Sequence, residues 1–409
     1  MILTLPKRVI NMRLANYCSD EEWKRIKKFA DTKETPFLVV DLEIIKQKYE
    51  ELITCFPMAK VHYALKANPG KPVIELLRDL GSNFDIASIY ELDKVLAAGV
   101  EPERISYGNT IKKAAHIKYA FDKGVRLFAT DSKADLQSIA ENAPGSKIFV
   151  RILVEGGETA EWPLSRKFGC HPDMAIDLLV QAKLLGLVPY GISFHVGSQQ
   201  KDIAVWDAAL SKVKYMFDWM RLEEGVILKM INMGGGFPAN YISEVNPIQV
   251  YAEEILRYLH DDHGDELPEL ILEPGRSLVG ESGVLVSEVV LISRKSRTDL
   301  KRWIYTDVGL FQGLIETMGE AIKYPIYTEK MEANVQEGSV VLAGPTCDST
   351  DIMYENSNYH LPHNLAVGDR LYWMTTGAYT TSYSSVEFNG FPPLKTYFIG
   401  LGNDDKELV

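Results

Sequence analysis

Lys66 closes an apolar run, Val61-His62-Tyr63-Ala64-Leu65-Lys66-Ala67-Asn68-Pro69, and is followed by a turn built on Asn-Pro. A lysine amine loses its proton more readily when desolvated, and it can condense with a carbonyl. Other polar groups end or interrupt similar runs. Asp85 lies in Asn83-Phe84-Asp85-Ile86-Ala87-Ser88, and Arg151 in Phe149-Val150-Arg151-Ile152. His195 and Ser198 follow Gly191-Ile192-Ser193-Phe194. Gly234-Gly235-Gly236 follows Met230-Ile231-Asn232-Met233, and Glu273-Pro274-Gly275-Arg276 follows Leu270-Ile271-Leu272.

Consecutive glycines let backbone N–H groups approach a phosphate, and a helix starting beyond them adds a favourable dipole. Arg276, one residue past Gly275, can add a charge-assisted contact to the same anion. Glu273 at a strand end needs a cationic or protonated partner, for which a protonated ring nitrogen would serve. His195 offers a flat ring for stacking on a heterocycle. Each group also has an ordinary explanation: a tight turn, a surface arginine, an ion pair from Glu273 to Arg151, a satisfied core histidine, or an N-cap or packing acid at Asp85. Taken together they supply a Schiff-base amine, a phosphate cradle and an acid for a ring nitrogen. Pyridoxal phosphate (PLP) requires those three things.

The elements that must position these groups are short β-prone runs alternating with helical periodicity. The runs are Pro36–Asp41, Val61–Leu65, Asn83–Ala87, Arg104–Tyr107, Arg126–Ala129, Lys147–Val154, Tyr190–Phe194, Lys229–Met233 and Glu269–Leu272. Helical segments such as Pro72–Leu80, Ser88–Ala98 and Asp173–Leu185 lie between them. This repetition predicts a parallel sheet with helices outside. Its extent, roughly 250 residues, fits a (β/α)8 barrel better than an open sheet, and no GxGxxG opens the first βα unit. In such a barrel, active residues gather at the C-terminal strand ends. Beyond about Ser282, Val284–Ser293, Val340–Leu342, Arg370–Thr375 and Leu394–Gly400 read as strands of an all-β domain. The first 35 residues, with a helical stretch at Asp20–Asp31, fall outside the barrel rhythm and are grouped with the β domain. The expected division is 36–281 for the barrel, and 1–35 with 282–409 for the β domain.

The chain has 409 residues, 46% of them hydrophobic and 24% charged, the composition of an ordinary globular protein. A net charge of −12 argues against general nucleic-acid affinity and suits a cationic substrate. Cys18, Cys55, Cys170 and Cys347 form no CxxC pair, so neither a zinc site, any other metal, nor a disulfide framework is indicated. The start, Met1-Ile2-Leu3-Thr4-Leu5-Pro6-Lys7-Arg8, lacks a signal-peptide core, no run spans a membrane, and the cytoplasm is the default expectation.

The motifs above occur in order with Gly344-Pro345-Thr346-Cys347-Asp348-Ser349 and Gly377-Ala378-Tyr379-Thr380. This ordered set resembles the fold-type III PLP-dependent decarboxylases of basic amino acids, nearest to ornithine decarboxylases, including bacterial forms that also accept lysine. The resemblance runs from about Thr35 to the end. It implies an alanine-racemase-like barrel, a C-terminal β-barrel-like domain to which Pro36–Asp41 also belongs, and a homodimer with shared active sites. It makes Lys66 the Schiff-base lysine, Glu273 the acid on the pyridine nitrogen and His195 the stacking histidine. Ser198, Gly234, Gly235, Gly236, Gly275, Arg276 and Tyr379 match the phosphate site, and Asp85 and Arg151 match positions beside the cofactor. Cys347 and Asp348 match a pair that enters the partner's site, where Cys347 protonates the product and Asp348 binds the distal amine. Glu320, with Glu316 nearby, stands for the second substrate-binding acid, and Phe388 for a substrate-lining aromatic. The implied reaction is L-ornithine to putrescine in polyamine synthesis, with L-lysine to cadaverine on the same scaffold. Rivals are diaminopimelate or arginine decarboxylases, an alanine racemase, for which no catalytic tyrosine is found, and a non-catalytic PLP-binding regulator. Diaminopimelate enzymes carry Cys-Glu-Ser where this chain has Cys347-Asp348-Ser349.

Overall fold

In the computed structural model, residues 13–156, 159–162, 167–331, 335–402 and 406–408 are described. The chain divides into two units. One takes the chain through Ile45, the short segment Ala239–Glu244 and everything from Val279 on; the other is Lys46–Pro238 with Val245–Leu278.

The chain opens with α1 (Asp20–Ala30), β1 (Phe37–Asp41) and α2 (Leu42–Cys55). Ser19 starts α1 with a reciprocal cap: Glu22 N–H donates to Ser19 Oγ at 3.3 Å, and Ser19 N–H donates to the Glu22 carboxylate at 2.7 Å. The second unit then runs β2 (Ala59–Ala64), α3 (Lys71–Asp79), β3 (Asn83–Ile86), α4 (Ile89–Ala97), β4 (Ile105–Tyr107) and α5 (Ala114–Asp122). It continues with β5 (Leu127–Thr130), α6 (Lys133–Asn142), β6 (Lys147–Arg151), α7 (Pro172–Leu184), β7 (Val188–Ser193) and α8 (Ala204–Leu222). β8 (Met230–Asn232), α9 (Ile248–His263) and β9 (Glu269–Leu272) complete it, with the short α10 (Arg276–Val279) at its border. Strands β2 to β9 close into one parallel barrel, sealed where Ala59, Lys60 and Val61 pair with Leu270, Ile271 and Leu272. The strands are short and mostly apolar because a parallel sheet under helices is buried on both faces, with polar residues such as His62, Asp85 and Arg151 among them. Ala129, Phe149, Met230 and Ile271, with Leu127 and Tyr190 beside them, form an apolar cluster of strand residues from β5 to β9.

The other unit is a ten-stranded mixed sheet. Its strands are β1, β10 (Gly283–Ser293), β11 (Arg302–Thr306), β12 (Ile326–Tyr327), β13 (Glu337–Ala343), β14 (Ile352–Tyr354), β15 (His360–Pro362), β16 (Arg370–Met374), β17 (Lys395–Ile399) and β18 (Lys406–Leu408). The long β10 changes partners along its length. Gly283–Val286 pair with β1 and Val284–Glu288 with β16, and from Val289 the strand pairs with β11, with an irregularity between Val289 and Leu291. The position of β1 moves the expected boundary. It lies between β10 and β17, so 36–45 belongs with the β unit and not with the barrel numbered from 36. The reason is visible in the core. Ile26, Phe29 and Ala30 of α1 pack with Phe37, Val39, Val284, Val286, Tyr372, Met374 and Tyr397, joined by Trp23. Burying side chains of this size contributes about 1.5–3 kcal/mol each. Arg25 anchors the same helix, donating from Nε to Asp41 Oδ2 at 2.7 Å. Among the described residues, no helix is long and apolar enough to cross a membrane.

Candidate active site

At the C-terminal mouth of the barrel, the ends of β2, β7, β8 and β9 are stitched together by backbone hydrogen bonds. Ala64 N–H donates to Pro274 O at 3.0 Å, which ties the turn carrying Lys66 to the loop after β9. Glu273 N–H donates to Gly234 O at 2.7 Å, Phe194 N–H to Asn232 O at 3.0 Å, and Gln200 N–H to Gly236 O at 2.9 Å. These links bring the loops after β2, β7, β8 and β9 together. Lys66 sits on a 3-10 turn, Leu65–Ala67, directly after β2, with its side chain exposed between buried neighbours. The Asn-Pro turn behind it is fixed by Tyr63 Oη–H to Asn68 O at 2.9 Å and by Gly70 N–H to Asn68 Oδ1 at 3.1 Å.

The glycine triplet is required by backbone packing. A Cβ on Gly234 would fall 2.4 Å from Phe194 O, one on Gly235 2.5 Å from Glu273 O, and one on Gly236 2.6 Å from Gly197 O. Gly234 and Gly236 also hold φ of +65° and +102°, where glycine is favoured. The triplet does not lead into a helix, contrary to the sequence expectation; α9 begins only at Ile248. The anion-binding capacity here therefore comes from N–H groups and from Arg276, which is 3% exposed and donates from Nε to Ser198 Oγ at 3.0 Å. Ser198 is held in turn by reciprocal backbone bonds with Trp162 at 3.1 and 3.2 Å. Gly275 is the residue between this arginine and the Pro274 carbonyl on which Ala64 rests.

The charged groups act on one another. Asp85, on β3, is pushed well above the usual carboxylate range by burial and by the negative charge of Glu273, while Lys66 and Arg151 oppose the shift. Glu91, on α4, is also raised by burial, and Lys66 again opposes. Arg151, at the end of β6, is lowered by burial against the pull of Glu273, Asp131 and Asp85. Glu273 accepts a hydrogen bond from Asn232, whose Nδ2 donates to Oε1 at 2.5 Å. His195 is driven well below the usual imidazole range by burial and by the charges of Arg151 and Lys66. Its Nδ1 accepts the Gly197 N–H at 3.0 Å, so the ring is neutral and fixed in orientation.

Lys66, Asp85, Arg151, His195, Ser198, Gly234, Gly235, Gly236, Glu273, Gly275 and Arg276 thus all lie at one end of one barrel. The remaining predicted residues belong to the β unit. Cys347 is exposed, and its N–H donates to Asn389 Oδ1 at 2.8 Å. Asp348 is half-buried, accepts from Thr350 N–H at 2.8 Å and Thr350 Oγ–H at 2.6 Å, and is lowered by those bonds. The loop bearing both is tied down by buried Asp351, which accepts from Thr346 N–H at 3.1 Å and Leu310 N–H at 2.8 Å. Tyr379 holds φ of +59°. Phe388 packs on Phe311, ring centroids 4.7 Å apart. Glu320 meets a turn of the β unit: its carboxylate takes Glu355 N–H at 2.8 Å, Asn356 N–H at 2.6 Å and Ser357 Oγ–H at 2.5 Å. Asn232, which orients Glu273 and accepts from Gly234 N–H at 2.9 Å, was missed; its place at the end of a β run was the available signal.

Residues 42–280 match the family model described as pyridoxal-dependent decarboxylase, pyridoxal binding domain. The chain belongs to this family. It is 32% identical over 370 residues to a lysine/ornithine decarboxylase of Selenomonas ruminantium, covering 90% of each chain. It is also 32% identical over 370 residues to antizyme inhibitor 2 of Xenopus laevis, covering 87% of this chain and 79% of that one. Among solved structures, the arginine decarboxylase of Paramecium bursaria Chlorella virus superposes with a TM-score of 0.84 at 28% identity, covering 92% of this chain and 99% of that one. The cofactor of a pyridoxal-dependent decarboxylase is pyridoxal phosphate, and the barrel mouth fits it. An exposed amine stands beside the acid pair of buried Asp85 and half-buried Glu273, which a cationic ring nitrogen would relieve. A buried arginine lies beside N–H-rich glycine turns suited to a phosphate.

Proposed function

We propose that this pyridoxal-dependent decarboxylase acts on a basic L-amino acid, converting L-ornithine to putrescine and L-lysine to cadaverine, and that it works as a homodimer. The observation that carries the reading is the convergence of Lys66, Asp85 and Glu273 at one barrel mouth beside the Arg276–Ser198 pair. Lys66 would hold the cofactor's aldehyde. Gly235, Gly236, Ser198, Arg276 and Tyr379 would hold its phosphate, and Glu273, steadied by Asn232, would keep a proton on the ring nitrogen. Neutral His195 would present its ring face, with Asp85 and Arg151 closing the charge balance around it. Once bound, the cofactor supplies an electron sink for the pair left when the substrate carboxylate departs. Asp348 of the second copy would pair with the substrate's distal ammonium, and Cys347 of that copy would return a proton to Cα. Phe388 would line a less polar patch that favours carboxylate departure.

The length of Asp348 supports a bare ammonium over the amino-acid end of diaminopimelate. Ornithine and lysine differ by one methylene, worth only about 1–3 kcal/mol in a pocket. The test is carbon dioxide release by purified, cofactor-loaded protein with ornithine, lysine, arginine and diaminopimelate. Ornithine is expected to give the highest kcat/KM, followed by lysine. The similarity to antizyme inhibitor 2 raises a second reading, a partner-binding protein without turnover. Retention of Lys66, the glycine triplet, Glu273 and Cys347 supports the enzyme, and no release from any of the four amino acids would decide for the partner-binding protein.

A further inference from the structure

His62 on β2, Ser106 on β4 and Asp85 on β3 are buried together, at 4%, 0% and 8% exposure. Ser106 Oγ lies 3.0 Å from His62 Nδ1, 3.5 Å from Asp85 Oδ1 and 3.5 Å from Phe84 O. The bonds reach across β3, which stands between β2 and β4, so the three side chains share a face. That face is the lumen, because Asp85 also feels Glu273 after β9 and Arg151 at the end of β6, neither of them on a strand that pairs with β3. Gly108, just past β4, leaves the space that the carboxyl occupies; a Cβ there would sit 2.1 Å from Asp85 Oδ1.

We propose that Ser106, oriented by His62, is a positioning residue that holds the Asp85 carboxyl and its proton at the floor of the site. A hydroxyl has one proton to give. When it goes to His62 Nδ1, the serine oxygen is left as an acceptor, and the proton of the second bond belongs to Asp85. Burial keeps the His62 ring neutral, lowering it to about 3, so Nδ1 is free to accept. The groups that face Asp85 are Lys66 after β2, Glu91 of α4, Arg151 of β6 and Glu273 after β9; burial and the two acids favour its neutral form, while Lys66 and Arg151 oppose it. A neutral Asp85 leaves the acid pair one negative charge in place of two, beside the place where the ring nitrogen would lie. This role deepens the cofactor-site reading given above and rests on it.

The test is the carboxyl stretch of protonated aspartate, followed by isotope-edited infrared spectroscopy through a pH titration of the full-length chain freed of cofactor. Asp85→Asn identifies the band. Ser106→Ala and His62→Phe should each lower its midpoint by about one pH unit or more, because the neutral acid loses its acceptor or the acceptor turns round to donate. Ser106→Thr, which keeps the hydroxyl, should hold the midpoint near that of the unsubstituted chain. A midpoint unmoved in Ser106→Ala, or moved upward, overturns the proposal, as does an Asp85 already ionised at neutral pH. A chain that took up no pyridoxal phosphate would instead overturn the functional reading, and it would show in the cofactor's absorbance and not in this titration.

Discussion

Arg276 and Glu273 stand three positions apart in the chain yet serve opposite charges, and their substitutions should separate cleanly. Arg276 is buried and braced by Ser198, so its guanidinium is already oriented for an anion. A charge-assisted hydrogen bond is worth about 1.5–3 kcal/mol, which converts to roughly a 10- to 100-fold change in binding. Arg276→Ala should therefore weaken pyridoxal phosphate binding by about that factor, measured by fluorescence titration of the apoprotein, with a smaller loss for Ser198→Ala. Glu273→Ala should leave cofactor content nearly intact and cut kcat by about 100- to 10,000-fold, the range expected for a positioned proton-holding group. Lys66→Ala should remove the absorbance of the lysine-bound cofactor. Persistence of that band would place the attachment on another amine.

Between these residues lies the packing of strand ends, and the glycine triplet tests it. Gly235 is the informative position, because Gly234 and Gly236 combine close contact with positive φ, whereas at Gly235 the close contact alone forbids a side chain. Gly235→Ala would press a methyl onto Glu273 O, 2.5 Å away. It should cost about 1–3 kcal/mol of stability, read from the urea midpoint, and lower cofactor affinity as the loop after β9 shifts. Unchanged stability and affinity would mean that the loops are not mutually braced. This bracing explains which parts of the molecule the sequence discloses. The barrel strands are continuous apolar runs and can be read directly, as can the groups at their ends. β11 hides itself, because buried Arg302 donates to Leu361 O at 2.8 Å and Pro362 O at 3.0 Å while Trp303 stays half-exposed, which scrambles the alternation. β12, β14 and β15 are two or three residues long and carry no period. The turn that engages Glu320 is illegible for a related reason: its partners, Glu355, Asn356 and Ser357, lie far along the chain. His62 and Ser106 look like ordinary members of apolar runs until the barrel closes and puts them in contact.

For the molecule as a whole, the buried His62 predicts how stability responds to acid. In an unfolded chain an imidazole titrates near 6.5, whereas in the fold burial lowers His62 to about 3. Below pH 6.5 the unfolded chain therefore binds a proton that the folded one refuses, and stability falls as pH drops from 6.5 toward 3. Between pH 7 and 5 this amounts to up to about 2 kcal/mol, and His62→Phe should flatten that limb in urea unfolding. Asp85 has the opposite sign: its raised carboxyl favours the fold at low pH, and that contribution fades as pH rises through its folded value. Assembly gives the last prediction. Cys347 and Asp348 sit on an exposed, well-braced loop of the β unit, and the proposed dimer assigns that loop to the partner's site. Lys66→Ala and Asp348→Ala chains should each be nearly inactive alone. In a hybrid dimer one site collects both substitutions and the other collects neither, so a single intact site survives. Random reassortment makes half of the dimers hybrid, and activity should return to about a quarter of that of the unsubstituted protein. Were Asp348 instead to serve the site of its own copy, every site in the mixture would carry one defect and remixing would recover nothing.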